Sequence, residues 1–328
     1  MTLRMRRRGM TAAALSAAVT LVGCGSTADS GQADDSSVSV IASTNVWGSV
    51  VAAVAGDAVE VTTLIDDPSA DPHSYESTPA DAAAVTNADV VVFNGGGYDE
   101  FMTEILGTLD GKPAVNAFEL AGAGGSAHGH EADGEAHAEG EAQSGEAGAH
   151  AHEGGANEHV WYELPAVEAV AEQVAEELGR LLPEQAATFA ANATSFHEEI
   201  DVIAAQVAAI GEANPGARVA LTEPIAVYLI EDAGLSDATP PEFLQAVEEE
   251  TDPPAAAVAA TRRLMTDRQV AALIYNPQTE TPVTEQVRSD AEAAGIPVVK
   301  MTETLPGESG YLEWMTAQVE ALASAMQR

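Results

Sequence analysis

The segment Asp71-Pro72-His73-Ser74-Tyr75-Glu76 sets a lone imidazole in a rigid turn between two apolar stretches. Three later points answer it. His159 closes a histidine-rich stretch, Glu223 follows the apolar run Arg218-Val219-Ala220-Leu221, and Gln278 to Glu280 follow the run Val270 to Tyr275. The last two lie just past the ends of apolar segments, where open α/β sheets place their ligand crevices. Imidazole and carboxylate together are the donors of a divalent transition metal. The expectation is that these four points converge on one ion.

The elements that must carry them follow from composition and patterning. At 328 residues, 46% of them hydrophobic, the chain can build two cores of ordinary domain size. Its 13 basic against 52 acidic residues, a formal charge of -39, exclude nucleic acid, whose phosphates need basic patches, and make cations the natural partners. Strands are expected over 38–43, 59–65, 88–93 and 114–118, alternating with helices over 46–55, 79–87 and 98–109. The alternation resumes with strands over 218–221, 270–275 and 297–301 and helices over 225–233, 255–265, 282–294 and 311–326, with Pro240-Pro241 and Pro253-Pro254 as turns. Such order indicates mainly parallel sheets flanked by helices, an α/β fold in two halves. Gly95-Gly96-Gly97 lacks both the lysine of a phosphate loop and dinucleotide-fingerprint spacing, and is read as a strand-to-helix turn. Residues 165–182 have helical spacing, and a second pattern runs from Pro183 to Asn214. About thirty helical residues span about 45 Å, a rod that would fix the two halves relative to each other. His197 lies within it and is read as a satisfied helix histidine rather than a ligand.

Two segments stand apart. Residues 122–157 carry Gly, Ala, Glu and His with no large apolar side chain, so disorder is expected. His128, His130, His137, His150 and His152 lie there among seven carboxylates, a composition that captures metal, with zinc or nickel suited to it. At the N-terminus, Arg4 to Arg8 precede a short apolar run from Met10 to Val22, an export signal too short to span a bilayer permanently. Leu21-Val22-Gly23-Cys24 resembles a bacterial lipobox, and Cys24 is the sole cysteine. The expected layout is a lipoprotein signal over 1–23, a flexible tether over 24–37 and an N-terminal lobe over 38–182 that includes the histidine-rich loop. A linker helix over 183–214 and a C-terminal lobe over 215–328 complete it.

With these pieces in place the chain resembles the zinc and manganese substrate-binding proteins of ABC transporters, the ZnuA and TroA family. The likeness covers nearly all of 38–328. It rests on the lipobox, on Asp71 to Glu76, on the histidine-rich insertion ending at Asn157-Glu158-His159-Val160-Trp161, and on Leu221-Thr222-Glu223-Pro224 ahead of Tyr228 and Gly234-Leu235. The resemblance implies two α/β lobes joined by one long helix, a metal between them, and delivery to a membrane permease. It makes His73 and His159 the first two ligands and Glu223 the third, where zinc-selective relatives usually have histidine and several manganese binders have glutamate. The fourth family ligand is often an aspartate after a strand of the second lobe. Asn276-Pro277-Gln278-Thr279-Glu280 has none, so Glu280 substitutes on charge, with Gln278 the alternative.

Two neutral imidazoles and two carboxylates would bring a divalent cation to zero net local charge, which limits the cost of burying it. The expected ion is Zn2+, drawn by the histidine loop, with Mn2+ the alternative drawn by Glu223. The predicted function is extracytoplasmic metal binding and delivery to an ABC permease by a monomer, anchored through lipid to the outer face of the cytoplasmic membrane. A metal-buffering adhesin is one alternative. A secreted zinc hydrolase is another, but it needs an open metal position and a general base, and the sequence holds no HExxH; no enzyme activity is expected. Affinity is expected to fall as pH drops through the histidine range near roughly 6.5.

Overall fold

The computed structural model describes residues 38–68, 70, 72–124, 157–307 and 309–327. The segments expected to be an export signal and a tether, Cys24, Asp71 and the five histidines His128, His130, His137, His150 and His152 lie outside the described residues.

The first lobe runs β1 (Ser39–Thr44), α1 (Asn45–Ala55), β2 (Glu60–Ile65), α2 (Pro79–Asn87), β3 (Val90–Phe93), α3 (Glu100–Leu106), β4 (Ala114–Asn116) and α4 (Ala117–Gly124). Its sheet is parallel throughout, in the order β2-β1-β3-β4. The run Val90-Val91-Val92-Phe93 is buried at every position because helices cover both faces, as parallel sheets require. Thr78 and Asp81 form a reciprocal capping box at the start of α2, with Pro79 in its first turn, where a missing N–H costs nothing. The triple glycine is the turn expected of it: all three residues have positive φ, and a Cβ on Gly96 would stand 2.5 Å from the Phe118 ring. The fourth strand is shorter than expected, since Ala117 already begins α4.

Two long helices follow, α5 (Leu164–Leu181) and α6 (Ala186–Ala213). The buried residues of α6 are Phe189, Ala193, Phe196, Ile200, Ile203, Val207 and Ile210, alternating steps of four and three that keep one stripe on one side. Its 28 residues, at roughly 1.5 Å each, span about 42 Å. It packs against α1 and α5 of the first lobe and also against elements of the second.

The second lobe runs β5 (Arg218–Leu221), α7 (Val227–Asp232), β6 (Ser236–Asp237), α8 (Pro241–Glu248), α9 (Ala255–Thr266), β7 (Ala272–Tyr275), α10 (Pro282–Ala294), β8 (Val298–Lys300) and α11 (Tyr311–Met326). Its parallel sheet is ordered β6-β5-β7-β8, so each lobe flanks its first strand with its second and third. One buried apolar cluster runs through both lobes by way of α1, α6 and α11. Gly211 lets α6 touch the second lobe, because a Cβ there would lie 2.0 Å from the Ala233 carbonyl oxygen. The proline pair 240–241 is more than a turn: Pro240 caps α8 and Pro241 opens it. No helix among the described residues is long and apolar enough to cross a membrane.

Candidate metal centre

The polar groups that meet between the lobes leave from the C-terminal ends of strands or from segments facing them. His73 lies beyond β2, Glu223 two residues past β5, Asn276 directly after β7 and Glu303 three residues past β8. His159 precedes a 3-10 turn, Val160–Tyr162, whose three side chains are buried. Glu248 is the last residue of α8, held in place by buried Phe243, Leu244 and Val247.

His159 is fully buried, its ring edge-on to Trp161 at 5.1 Å and 6.3 Å from the His73 ring. The Asn157 amide nitrogen donates to the Pro224 carbonyl at 2.7 Å, which leaves Asn157 Oδ1 to accept from His159 Nδ1 at 2.7 Å. Nδ1 therefore carries the ring proton, and the lone pair sits on Nε2, a buried atom with no hydrogen-bond partner among the described residues. Burial first, and then His73, hold the ring's pKa down at about 3, so it is neutral wherever the protein works. His73 packs edge-on against Tyr98 at 4.9 Å, with Nε2 3.3 Å from Glu158 Oε1.

The second lobe brings carboxylates. Asn276 Nδ2 donates to Glu223 Oε2 at 2.5 Å and to Glu303 Oε1 at 2.7 Å, so one amide nitrogen bridges two acids that are 2% and 1% exposed. Thr279 Oγ1 adds a donor to Glu223, and the Tyr98 hydroxyl, from the first lobe, adds one to Glu303. Glu248 Oε1 stands 3.7 Å from His159 Nδ1, and its Oε2 is buried with no partner among the described residues. Burial, then Glu223, Glu158 and Glu303, push the Glu248 carboxyl up to about 9. Glu158 rises to about 7, mainly by burial and the nearby Asp99, opposed by its hydrogen bond with Glu248. One donor atom from each of His73, His159 and Glu248 lies within 4.8 Å of the others.

Of the residues expected from sequence, His73 and His159 come together; Glu223 is near enough to act on the charges of Glu158 and Glu248, but the donor atoms gathered within 4.8 Å of one another are those of His73, His159 and Glu248. Glu280 does not join them: it is exposed and accepts from the Tyr275 hydroxyl, because the chain turns away into the Thr281 cap of α10. Gln278 does not join them as a ligand either. Its Nε2 donates to the Pro68 carbonyl and to Thr304 Oγ1, and its Oε1 accepts from the Glu303 backbone N–H, so it ties two loops together. His197 sits between α5 and α6, 3.1 Å from Glu168, as a partnered helix histidine. Glu158, Glu248, Glu303, Asn157 and Asn276 were not anticipated. Glu303 obeys the same rule that pointed to Glu223, a polar residue just past an apolar strand.

The donor set fits a divalent cation: crowded buried carboxylates need positive charge, and a buried imidazole nitrogen presents an open lone pair. The family model for the zinc-uptake complex component A, periplasmic, matches residues 40–325. Among curated proteins, the manganese-binding lipoprotein MntA of Bacillus subtilis (strain 168) is 24% identical over 204 residues, 60% of this chain and 57% of that protein. MntA of Halalkalibacterium halodurans is 28% identical over 109 residues, 31% of this chain and 36% of that protein. The chain thus spans little more than half the length of the first of these relatives and about a third of the second. Among solved structures, the periplasmic zinc binding protein TroA from Treponema pallidum superposes with a TM-score of 0.68 at 18% identity, over 88% of this chain and 99% of that one. The Mn2+ complex of the protein FpvC from Pseudomonas aeruginosa gives 0.65 at 20% identity, over 88% and 98%. At such identities the likeness establishes the two-lobed fold.

Proposed function

The chain belongs to the family of the periplasmic zinc-uptake complex component A, and from that premise we propose that it is an extracytoplasmic receptor for one divalent transition metal ion. The ion sits between the lobes and passes to a membrane ABC permease. A component of an uptake complex binds and releases its cargo, and it is not an enzyme. The observation that carries the reading is His159 Nε2, a buried lone pair facing no protein donor, in a ring whose other nitrogen is fixed by Asn157. An outer hydrogen bond of this kind orients an imidazole for a metal and raises its basicity.

The proposed ligands are His73 and His159 from the first lobe and Glu223 and Glu303 from the second. Glu303 takes the fourth place that sequence alone assigned to Glu280 or Gln278, and with these four ligands the charges cancel. Monodentate carboxylates with two imidazoles would make a tetrahedral zinc site, whereas bidentate carboxylates raise the coordination number and suit manganese. The surplus of oxygen donors around the two histidines favours manganese over the zinc expected from the histidine-rich segment. Lipidation of Cys24 would hold the receptor, as a monomer, on the outer face of the membrane.

The test is metal analysis of the full chain purified without added metal, followed by calorimetric titration with Zn2+ and Mn2+. One tight equivalent, lost in His159→Ala, is expected. A wild-type protein with no bound metal and no measurable affinity for either ion would end the receptor reading.

A further inference from the structure

Glu248, like Glu158 and Glu303, is an acid at this site that neither the sequence nor the family resemblance singled out. We propose that it is a direct metal ligand, a fifth protein donor that biases the site toward manganese and against zinc; this rests on the receptor reading above.

Three observations converge. First, one oxygen of Glu248 and one ring nitrogen of each histidine lie within 4.8 Å of one another, with Glu248 Oε1 3.7 Å from His159 Nδ1, one ring carbon away from the Nε2 lone pair. Three donors that share an ion at about 2.2 Å stand about 3.6–3.8 Å apart, so a closure of up to about 1 Å completes the triangle. Second, Glu223 and Glu303 rest on protein donors, namely the Asn276 amide with Thr279 for one acid and Tyr98 for the other. Glu248 Oε2 is buried and meets no such donor among the described residues. Third, its aim is fixed by packing: α8 lies against α9 and the turn Pro224–Ala226, so Glu248 and Glu223 are carried on neighbouring backbone.

A fifth donor that is a carboxylate oxygen changes selectivity. Zinc prefers four ligands in a tetrahedron, and manganese accepts more oxygen donors. Discrimination is a difference of two affinities, so a ligand used by one ion and superfluous to the other acts on that difference directly.

The experiment uses the full chain with Glu248→Gln, which keeps a donor toward Glu158 but offers no anionic oxygen, and Glu248→Ala beside it. Affinities for Mn2+ and Zn2+ are read by competition with a metal-sensitive chelator dye, and X-ray absorption counts the oxygen neighbours of bound Mn2+. Expected are a loss in Mn2+ affinity of at least about tenfold in both variants, a change for Zn2+ of less than about threefold, and one fewer first-shell oxygen. Unchanged Mn2+ affinity, an equal loss for both ions, or an unchanged oxygen count would overturn the proposal while leaving the receptor reading intact. A wild-type chain that binds neither ion would overturn both. Should the variants fail to fold, Mn2+-loaded wild-type crystals decide: a Glu248 oxygen within about 2.5 Å of the ion supports the assignment, and one beyond about 3.5 Å overturns it.

Discussion

The two lobes share a strand order and differ in what they present to each other. The first offers imidazole nitrogen from His73 and His159; the second offers the buried acids Glu223 and Glu303 and the half-buried Glu248. The second lobe therefore carries most of the electrostatic cost of the centre, and it meets that cost with amide and hydroxyl donors on two of its three acids. The lesson is a division of labour: a neutral imidazole needs only orientation, whereas a buried acid needs a partner at all times. Neither lobe alone holds a complete set of donors.

Four measurements break or sharpen this contrast. His159→Ala removes the nitrogen side and should weaken Zn2+ and Mn2+ binding by more than about 100-fold in calorimetry, since even the partners of a ligand are worth about 10 to 100-fold. Asn276→Ala attacks the other side. It leaves Glu223 and Glu303 without their shared donor, and should cost the metal-free protein about 1–3 kcal/mol in denaturant unfolding, with much of the loss recovered when metal is added. Gly211→Ala strikes the rod that joins the lobes. Its Cβ would collide with the Ala233 carbonyl, so a loss of about 1–3 kcal/mol is expected, this time with little recovery on adding metal.

The smallest effect is the pH profile. Burial and the neighbouring acids push the Glu248 carboxyl from the usual carboxylate range up to about 9, so the metal-free fold holds the extra proton. Its contribution to stability is fully present below about 4.5 and is lost as pH rises through about 9. A metal bound by Glu248 would displace its proton, so affinity should rise as pH approaches about 9. His159, neutral down to about 3, contributes nothing to that slope. Titrations in buffers of different ionisation enthalpy count the protons released. A count of zero at pH 7 would contradict the assignment.

The alternation of apolar strands and amphipathic helices made the α/β lobes and the long helix legible, because parallel strands buried on both faces read as unbroken apolar runs. His73, His159 and Glu223 were legible for a related reason, since each interrupts or ends such a segment. Glu303 was equally accessible but lies past β8, only three residues long, and the choice went instead to Glu280, which has the right charge on a loop that turns away. Glu248 was hidden by its helix. Pro240-Pro241 reads as a turn, yet the second proline suits a first helical turn, and the eight residues of α8 are too few for a clear periodic signal. Glu158 and Asn157 depend on contacts 64 to 71 residues away, which local pattern does not encode.

Asn157 has one more implication. Its side-chain oxygen steers the imidazole of the first lobe, while its amide nitrogen and backbone carbonyl are moored to Pro224 and Tyr228 of the second. A donor aimed from across the cleft goes slack when the halves part. Parting the halves would then break both moorings and release the aim of the imidazole together.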